Sequence, residues 1–343
     1  MKLLEQVPLR EHTTLRVGGT ADFYSEIDSS RDLEEVCEFA REQNLPVLIL
    51  GRGSNLLVSD EGVRAVVVKP SATKHTEIEQ TDSLLIEADA GASWEEIVKA
   101  ASAYGVFGVE NLAAIPGSVG GAVVQNIGAY GAELSSVFSY AEVIDITTGE
   151  SLRIEKAEAR FGYRTSIFKE RPELLIMRVG LSLSKTAQPN LVYADVVRAQ
   201  ASGTPLNTPE EIANAIRVIR SKKFPDLTQE GTAGSFFKNP VVSQEIAHAL
   251  TERFKGLPAY PQSTDAVKVS LAWILDNVLN LKGYSRGPVR LYEEQPLVIV
   301  TSNGATSHDV ESFAEEIATR VQKEIGITIE REVETFNRMI TIK

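Results

Sequence analysis

Apolar residues recur along the chain at two spacings. In "RDLEEVCEFA", Leu33, Val36, Cys37 and Ala40 fall three or four positions apart, the period of a helix with one buried stripe, with Ser29 and Ser30 before it as capping candidates. "PVLIL" at 46–50 is a short unbroken apolar run and reads as a buried strand. "SLLIEADA" reads as another strand, leading into Ser93-Trp-Glu-Glu96. That spacing predicts a capping box, opening a helix with Trp94, Ile97, Val98 and Ala101 on one face. Thr208-Pro-Glu-Glu211 repeats the signal with proline at the first helical position, and Ile212, Ile216 and Ile219 form the inner stripe. Farther on, the pattern predicts a helix at about 267–278 and a strand at "PLVIVTS". A long amphipathic helix carrying Val310, Phe313, Ala314, Ile317 and Val321 follows, then a last strand near "ITIERE".

Helices and strands are thus mixed, with no repeat or low-complexity tract. At 343 residues the chain exceeds what one core usually serves, so two or three domains are expected, with boundaries near 70 and 222. A hydrophobic share of 43% and a charged share of 24% are those of an ordinary globular protein. The formal charge of −12 opposes non-specific nucleic-acid binding, which needs a basic surface. No stretch approaches the roughly eighteen apolar residues of a membrane span. Charges at Glu5, Arg10 and Glu11 break any secretory h-region. Cys37 is the only cysteine, so no internal disulfide forms; a reduced, cytoplasmic setting and core packing are expected. His12, His75, His248 and His308 are scattered without metal-ligand spacing, so no metal site is expected.

Two glycine-rich stretches change this bland picture. "IPGSVGGAVVQNIGAYG" (115–131) holds Gly117, Gly120, Gly121, Gly128 and Gly131. Glycine here serves either tight turns or the close approach of an anion such as a diphosphate to the main chain. "LILGRGSNLLVSD" (48–60) begins as a dinucleotide fingerprint does, with a strand and Gly51-x-Gly53, but the third glycine is missing and Leu56-Leu57-Val58 is strand-like. A Rossmann site needs a helix there, so that fold is disfavoured, and no P-loop lysine follows. Two glycine turns about sixty residues apart, each after a strand, suggest one long cofactor gripped from two sides. The cluster Arg217, Arg220, Lys222 and Lys223 is, by itself, favourable charge at a helix C-terminus.

Taken in order, "LGRGSNLLVSD", "IPGSVGGAVVQNIGAYG", "FGYRTSIFK", "GSFFKNP" and "IEREVE" closely resemble the UDP-N-acetylenolpyruvoylglucosamine reductase family of flavoenzymes, over nearly the whole chain. The resemblance implies an α+β fold: a two-part FAD-binding module of the vanillyl-alcohol-oxidase (PCMH) type plus a third α+β substrate-binding domain. On this basis 1–70 and 71–222 are expected to form the FAD-binding subdomains and 223–332 the substrate-binding domain, with 333–343 packing back on the first. FAD is implied to lie against Ile115, Pro116, Gly117, Ser118, Gly120, Gly121, Ala122, Gln125, Asn126, Ile127, Gly128, Tyr130 and Gly131. Gly51, Arg52, Gly53, Ser54, Asn55 and Leu56 are implied to clasp its diphosphate. Neither glycine loop contains a His or Cys for covalent attachment, so FAD is expected to be non-covalent.

The implied activity is NADPH-dependent reduction of UDP-N-acetylglucosamine enolpyruvate to UDP-N-acetylmuramate in peptidoglycan precursor synthesis, with hydride reaching C3 through the flavin and a proton reaching C2. Ser235 matches the family's general acid, Arg164 the arginine that holds the substrate carboxylate, and Glu332 the catalytic glutamate. Strand alternation would point Glu330, Glu332 and Glu334 to one side, so periodicity does not choose among them, and the family pattern usually has a basic residue where Glu334 stands. Tyr163, Asn239, Lys223, Gln295 and Lys268 match substrate contacts, and Tyr193 matches the mobile-loop tyrosine of one family subtype. A doubly charged diphosphate would account for the basic cluster at 217–223. A monomer is the family's usual habit. Two other readings stay open: another FAD oxidoreductase of the same fold, and a redox-inactive nucleotide-sugar binding protein.

Overall fold

The computed structural model describes residues 2–342. Near the N-terminus, Leu3–Pro8, Thr20–Ile27, Val63–Pro70 and Val47–Ile49 lie side by side in that order as one sheet. The last three run parallel, and a parallel pair needs a crossover, which helix Ser30–Glu42 supplies. Ser29 caps that helix by accepting from the Asp32 N–H at 3.2 Å. Its predicted stripe of Leu33, Val36, Cys37 and Ala40 is buried against Ile27, Val66 and Val68. Burial pushes the Cys37 thiol up to about 11, which keeps it an inert packing group. The end of the chain returns here: Ile340 bridges Val47, Ile340 and Ile342 join the same core, and Phe336 packs on the opposite face of the sheet with Leu48 and Leu50.

A second, antiparallel sheet follows in the order Ser151–Glu155, Phe138–Asp145, Leu174–Ser184, Ser83–Asp89, His75–Glu79. Helices Trp94–Ala103, Val119–Gln125 and Pro209–Lys223 share its core. The capping box at Thr208 forms as the sequence predicts, in both directions. The one at Ser93 does not. Its side chain makes no cap bond; the Trp94 N–H instead donates to Gly117 O at 3.2 Å, and Glu95, not Glu96, turns back to accept from Ala114 N at 2.6 Å. The second glycine stretch therefore satisfies this helix start through tertiary contacts.

Two larger antiparallel sheets follow: Gly231–Ser235, Val298–Thr301, Val289–Leu291 and Ser285–Arg286 in one, Val241–Ser243, Ala266–Val269 and Ala259–Pro261 in the other. Helix Ser307–Ile325 buries Val310, Phe313, Ala314, Ile317 and Val321 into this core. Asp60, from the first glycine stretch, accepts from the N–H groups of Ser307 and His308 at 2.8 and 3.1 Å and so joins the first sheet's unit to that helix. Two expectations are corrected here. Residues 266–269 are strand, with Val267 and Val269 alternately buried, and the helix starts only at Leu271 behind the Ser270 cap before widening at 274–278, where Leu279 N–H bonds Ile274 O. No strand forms over 327–332. That segment makes separate backbone bonds to Phe236 and Lys238, bends at 332–333, and pairs as Glu334–Thr335 in parallel with Leu56–Leu57. Among the described residues no helix is long and apolar enough to cross a membrane.

Candidate functional site

The two glycine stretches face each other across a cavity of about 430 Å³. An added methyl group shows what each glycine does there. At Gly51 and Gly121 it would meet only Ser118 Oγ, at 3.2 and 3.3 Å, and at Gly117 only Ser54 Oγ, at 3.2 Å. These three glycines border open space. Gly53 differs, since its methyl would lie 2.2 Å from the His12 carbonyl oxygen and its φ is +63°. The N–H groups of Val119 and Gly120 are engaged by the carbonyls of Ala92 and Ala90 at 2.9 Å each, which fixes the second stretch against the strand-to-helix corner.

Arg164, Glu332 and Ser235 line the same cavity. Arg164 sits at the tip of a tight turn closed by two backbone bonds between Gly162 and Thr165, with φ of +58°. Its Nε donates to Glu332 Oε1 at 2.8 Å and its Nη2 to Gly128 O at 2.5 Å, with both side chains about five-sixths buried. Glu332 is fixed through its own backbone: its N–H donates to Phe236 O at 2.8 Å, and its carbonyl accepts from Asn55 Nδ2 at 3.1 Å. The fully buried Phe236 and Phe237 anchor the strand end carrying Ser235. Glu330 and Glu334 part company with Glu332 at the bend. Glu330 is exposed and pairs with Lys238, while Glu334 pairs with Lys169 and Arg338. Of the three glutamates, Glu332 is the one paired with Arg164, while Glu334 also reaches the cavity lining.

At the other end, Lys223 pairs with the nearly buried Asp195, at the start of helix Ala194–Ala201. Tyr193, just before that helix, stacks edge-on against Tyr130 at 5.1 Å. Burial pushes the Tyr130 hydroxyl up to about 12, and burial pulls the adjacent Arg220 guanidinium below its ordinary value, with Tyr130 opposing. The Tyr163 ring lies 5.3 Å from both the Arg164 guanidinium and Lys268 Nζ. Burial and repulsion from Arg164 both lower the Lys268 ammonium. Asn239 Oδ1 accepts from Leu271 N–H at 3.0 Å, and Gln295 lies between Tyr292 and Val298 in a turn.

The cavity brings together every residue of the first stretch named above, and those of the second except Asn126 and Gly131, together with Arg164, Tyr193, Lys223, Ser235, Asn239, Gln295 and Glu332. Asn126 turns away to donate to Gly162 O at 2.9 Å and accept from Ser135 N–H at 3.0 Å. Gly131 packs against Asn190. Tyr163, whose ring lies near both Arg164 and Lys268, and Lys268 itself are not among the lining residues. Sequence reasoning missed Arg338 as a lining residue and Lys169 paired to Glu334. Arg220 belongs to the basic cluster expected near a diphosphate, and periodicity leaves Glu334 undivided from Glu332, while Lys169 stands in "FGYRTSIFK" without a role; Arg338 carries no local signal.

A family profile described as "FAD binding domain" matches residues 21–155, and one described as "UDP-N-acetylenolpyruvoylglucosamine reductase, C-terminal domain" matches 226–336. A UDP-N-acetylenolpyruvoylglucosamine reductase of Salmonella choleraesuis is 37% identical over 333 residues, 96% of each chain. One from Pseudomonas aeruginosa is 36% identical, covering 97% of this chain and 98% of its own. The chain belongs to the UDP-N-acetylenolpyruvoylglucosamine reductase family. The crystal structure of the family's enzyme from Thermus caldophilus superposes with a TM-score of 0.67 at 26% identity, covering 98% of this chain and all of that one. The α+β arrangement expected from the sequence, an FAD-binding module followed by a family-specific domain, is thereby established. The cavity suits this reductase family's FAD on two counts. Glycines keep open the cleft between two backbone turns, as a diphosphate requires, and the nearly buried Gln125 presents an Nε2 with no protein partner. Among the described residues no His or Cys lines it; His12, beside Gly53, stacks its ring on Tyr24.

Proposed function

We propose that this chain reduces UDP-N-acetylglucosamine enolpyruvate to UDP-N-acetylmuramate at the expense of NADPH, in the making of peptidoglycan precursors. The observation that carries the reading is the Arg164–Glu332 pair, which lines a glycine-rich cavity together with Ser235. FAD held between 51–56 and 115–131 would supply the hydride chemistry between NADPH and C3 of the enolpyruvyl group. The chain's own residues manage charge and proton. The planar fork of Arg164 grips the substrate carboxylate and braces the negative charge that develops across C2 and that carboxylate. Glu332 holds the fork in place, and Ser235 delivers the proton to C2. Gln125 Nε2 would donate to the FAD, and the backbone of 51–56 would clasp its diphosphate across from 115–131.

Lys223, Tyr193 and Lys268 serve the UDP end, with Asn239, Gln295 and Tyr163 around the sugar; a redox-inactive binding protein would need no Arg164, Glu332 and Ser235 together. We assign 1–70 and 71–222 to the cofactor and 223–332 to the substrate, and take the protein to be a cytoplasmic monomer with non-covalent FAD. The test is anaerobic stopped-flow absorbance. NADPH bleaches the flavin, and the enolpyruvyl sugar restores its colour. Ser235→Ala leaves the bleaching step within about threefold of wild type and slows recolouring by at least about 100-fold. Recolouring by oxygen alone, or equal slowing of both steps, overturns the reading or the role of Ser235 respectively.

A further inference from the structure

We propose that Lys169 is a positioning residue for the carboxylate-gripping fork of Arg164, kept in place by Glu334 and Arg338. The inference rests on the reductase reading above. Arg164 occupies a backbone conformation, φ +58°, that disfavours a side chain, so the turn holding it must be fixed from outside. Two groups fix it. Asn126 Nδ2 donates to Gly162 O at 2.9 Å on one side, and Lys169 Nζ donates to Arg164 O at 2.7 Å on the other. The second bond falls on the same residue whose guanidinium reaches Glu332 and Gly128. Loss of the Lys169 bond leaves the peptide after Arg164 held only through the Thr165 N–H bond to Gly162 O, at 3.2 Å, and loosens the fork at the carboxylate site.

Lys169 is itself held in a closed ring. Its Nζ pairs with Glu334 Oε1 at 2.5 Å, Glu334 Oε2 pairs with Arg338 Nη2 at 2.7 Å, and Arg338 Nη1 returns to the Lys169 carbonyl at 2.5 Å. Only 11% of the Lys169 side chain is exposed. With the Arg164–Glu332 pair, three cations stand against two carboxylates, and the excess positive charge suits an anionic group in front of Arg164. The charged and titratable groups facing Lys169 are Glu334 and Glu332, which favour its charged form, and Arg338, which opposes it. Burial lowers the ammonium below its ordinary value, so Glu334 is what most keeps it charged.

The experiment uses the FAD-loaded full chain with Lys169→Met, Lys169→Arg and Glu334→Gln. Calorimetry compares UDP-N-acetylglucosamine with UDP-N-acetylmuramate, which carries the extra carboxylate. Lys169→Met is expected to weaken the muramate about tenfold, leave the other ligand within about twofold, and slow recolouring by the enolpyruvyl sugar but not bleaching by NADPH. Lys169→Arg restores most of the loss. In Glu334→Gln the alkaline limb of the recolouring rate moves to lower pH, because the ammonium loses its proton sooner; this arm decides the matter if Lys169→Met does not fold. Equal weakening of both ligands, equal slowing of both steps, an unmoved alkaline limb, or wild-type behaviour of Lys169→Met overturns the inference. Failure of the wild-type protein to recolour with the sugar overturns the reductase reading instead, and is seen before any variant is made.

Discussion

Gly53 and Gly121 lie in facing turns of one cavity, yet a methyl group at each meets different things. At Gly53 it runs into backbone, 2.2 Å from the His12 oxygen and 2.7 Å from the Thr13 Cα, at a φ of +63°. At Gly121 it meets only the hydroxyl oxygen of the capping Ser118, at 3.3 Å, which would have to yield by a few tenths of an ångström. One glycine is required by the chain's own packing; at the other, the packing asks far less. Sequence composition cannot separate the two, because both read as a glycine in a glycine-rich turn.

The largest effect is expected from Gly53→Ala, which should cost about 3 kcal/mol or more of stability, with thermal unfolding falling equally with and without FAD. Gly121→Ala should leave the FAD-free protein within about 0.5 kcal/mol of wild type, or raise it, while weakening FAD about tenfold in a fluorescence titration. If both variants unfold alike without FAD, the comparison breaks. Gln125→Leu sharpens it from the side-chain end. Removing a buried donor with no protein partner should leave the FAD-free protein neutral or up to about 1 kcal/mol more stable, and weaken FAD by a similar amount. The smallest contrast is at two helix starts. Thr208→Ala should cost about 1 kcal/mol in denaturant unfolding, whereas Ser93→Ala, whose hydroxyl caps nothing, should stay within about 0.5 kcal/mol.

The legible parts of the molecule are those fixed by local periodicity. The stripes of Ser30–Glu42 and Ser307–Ile325 could be read because one face of each is buried without interruption. The failures have one cause, a distant partner overriding a local signal. Ser93 has the right spacing for a capping box, but the Trp94 N–H at that helix start donates to the distant Gly117 O, and the Glu95 carboxylate is taken by the Ala114 N–H. The alternation at 327–332 resembles a strand, but the segment divides its backbone bonds among Phe236, Lys238 and Asn55. The motifs located the cavity; they did not separate lining from support. Asn126 and Lys169 both brace the turn carrying Arg164 from behind, and nothing in their spacing reports which way a side chain points.

Glu332 lies 168 residues beyond Arg164 and 277 beyond Asn55, the two side chains that hold it. Its assembly is therefore a late event in the life of each molecule. A ribosome that has emitted only the first 325 or so residues has already released both glycine turns, but not the segment that pairs with Leu56–Leu57 or bridges Val47. Such an unfinished chain carries the parts that grip a cofactor, without the glutamate that holds Arg164 in place and with two strand edges bare to neighbouring chains. The partner of Arg164 and the cover for both strand edges arrive together, with the same few residues.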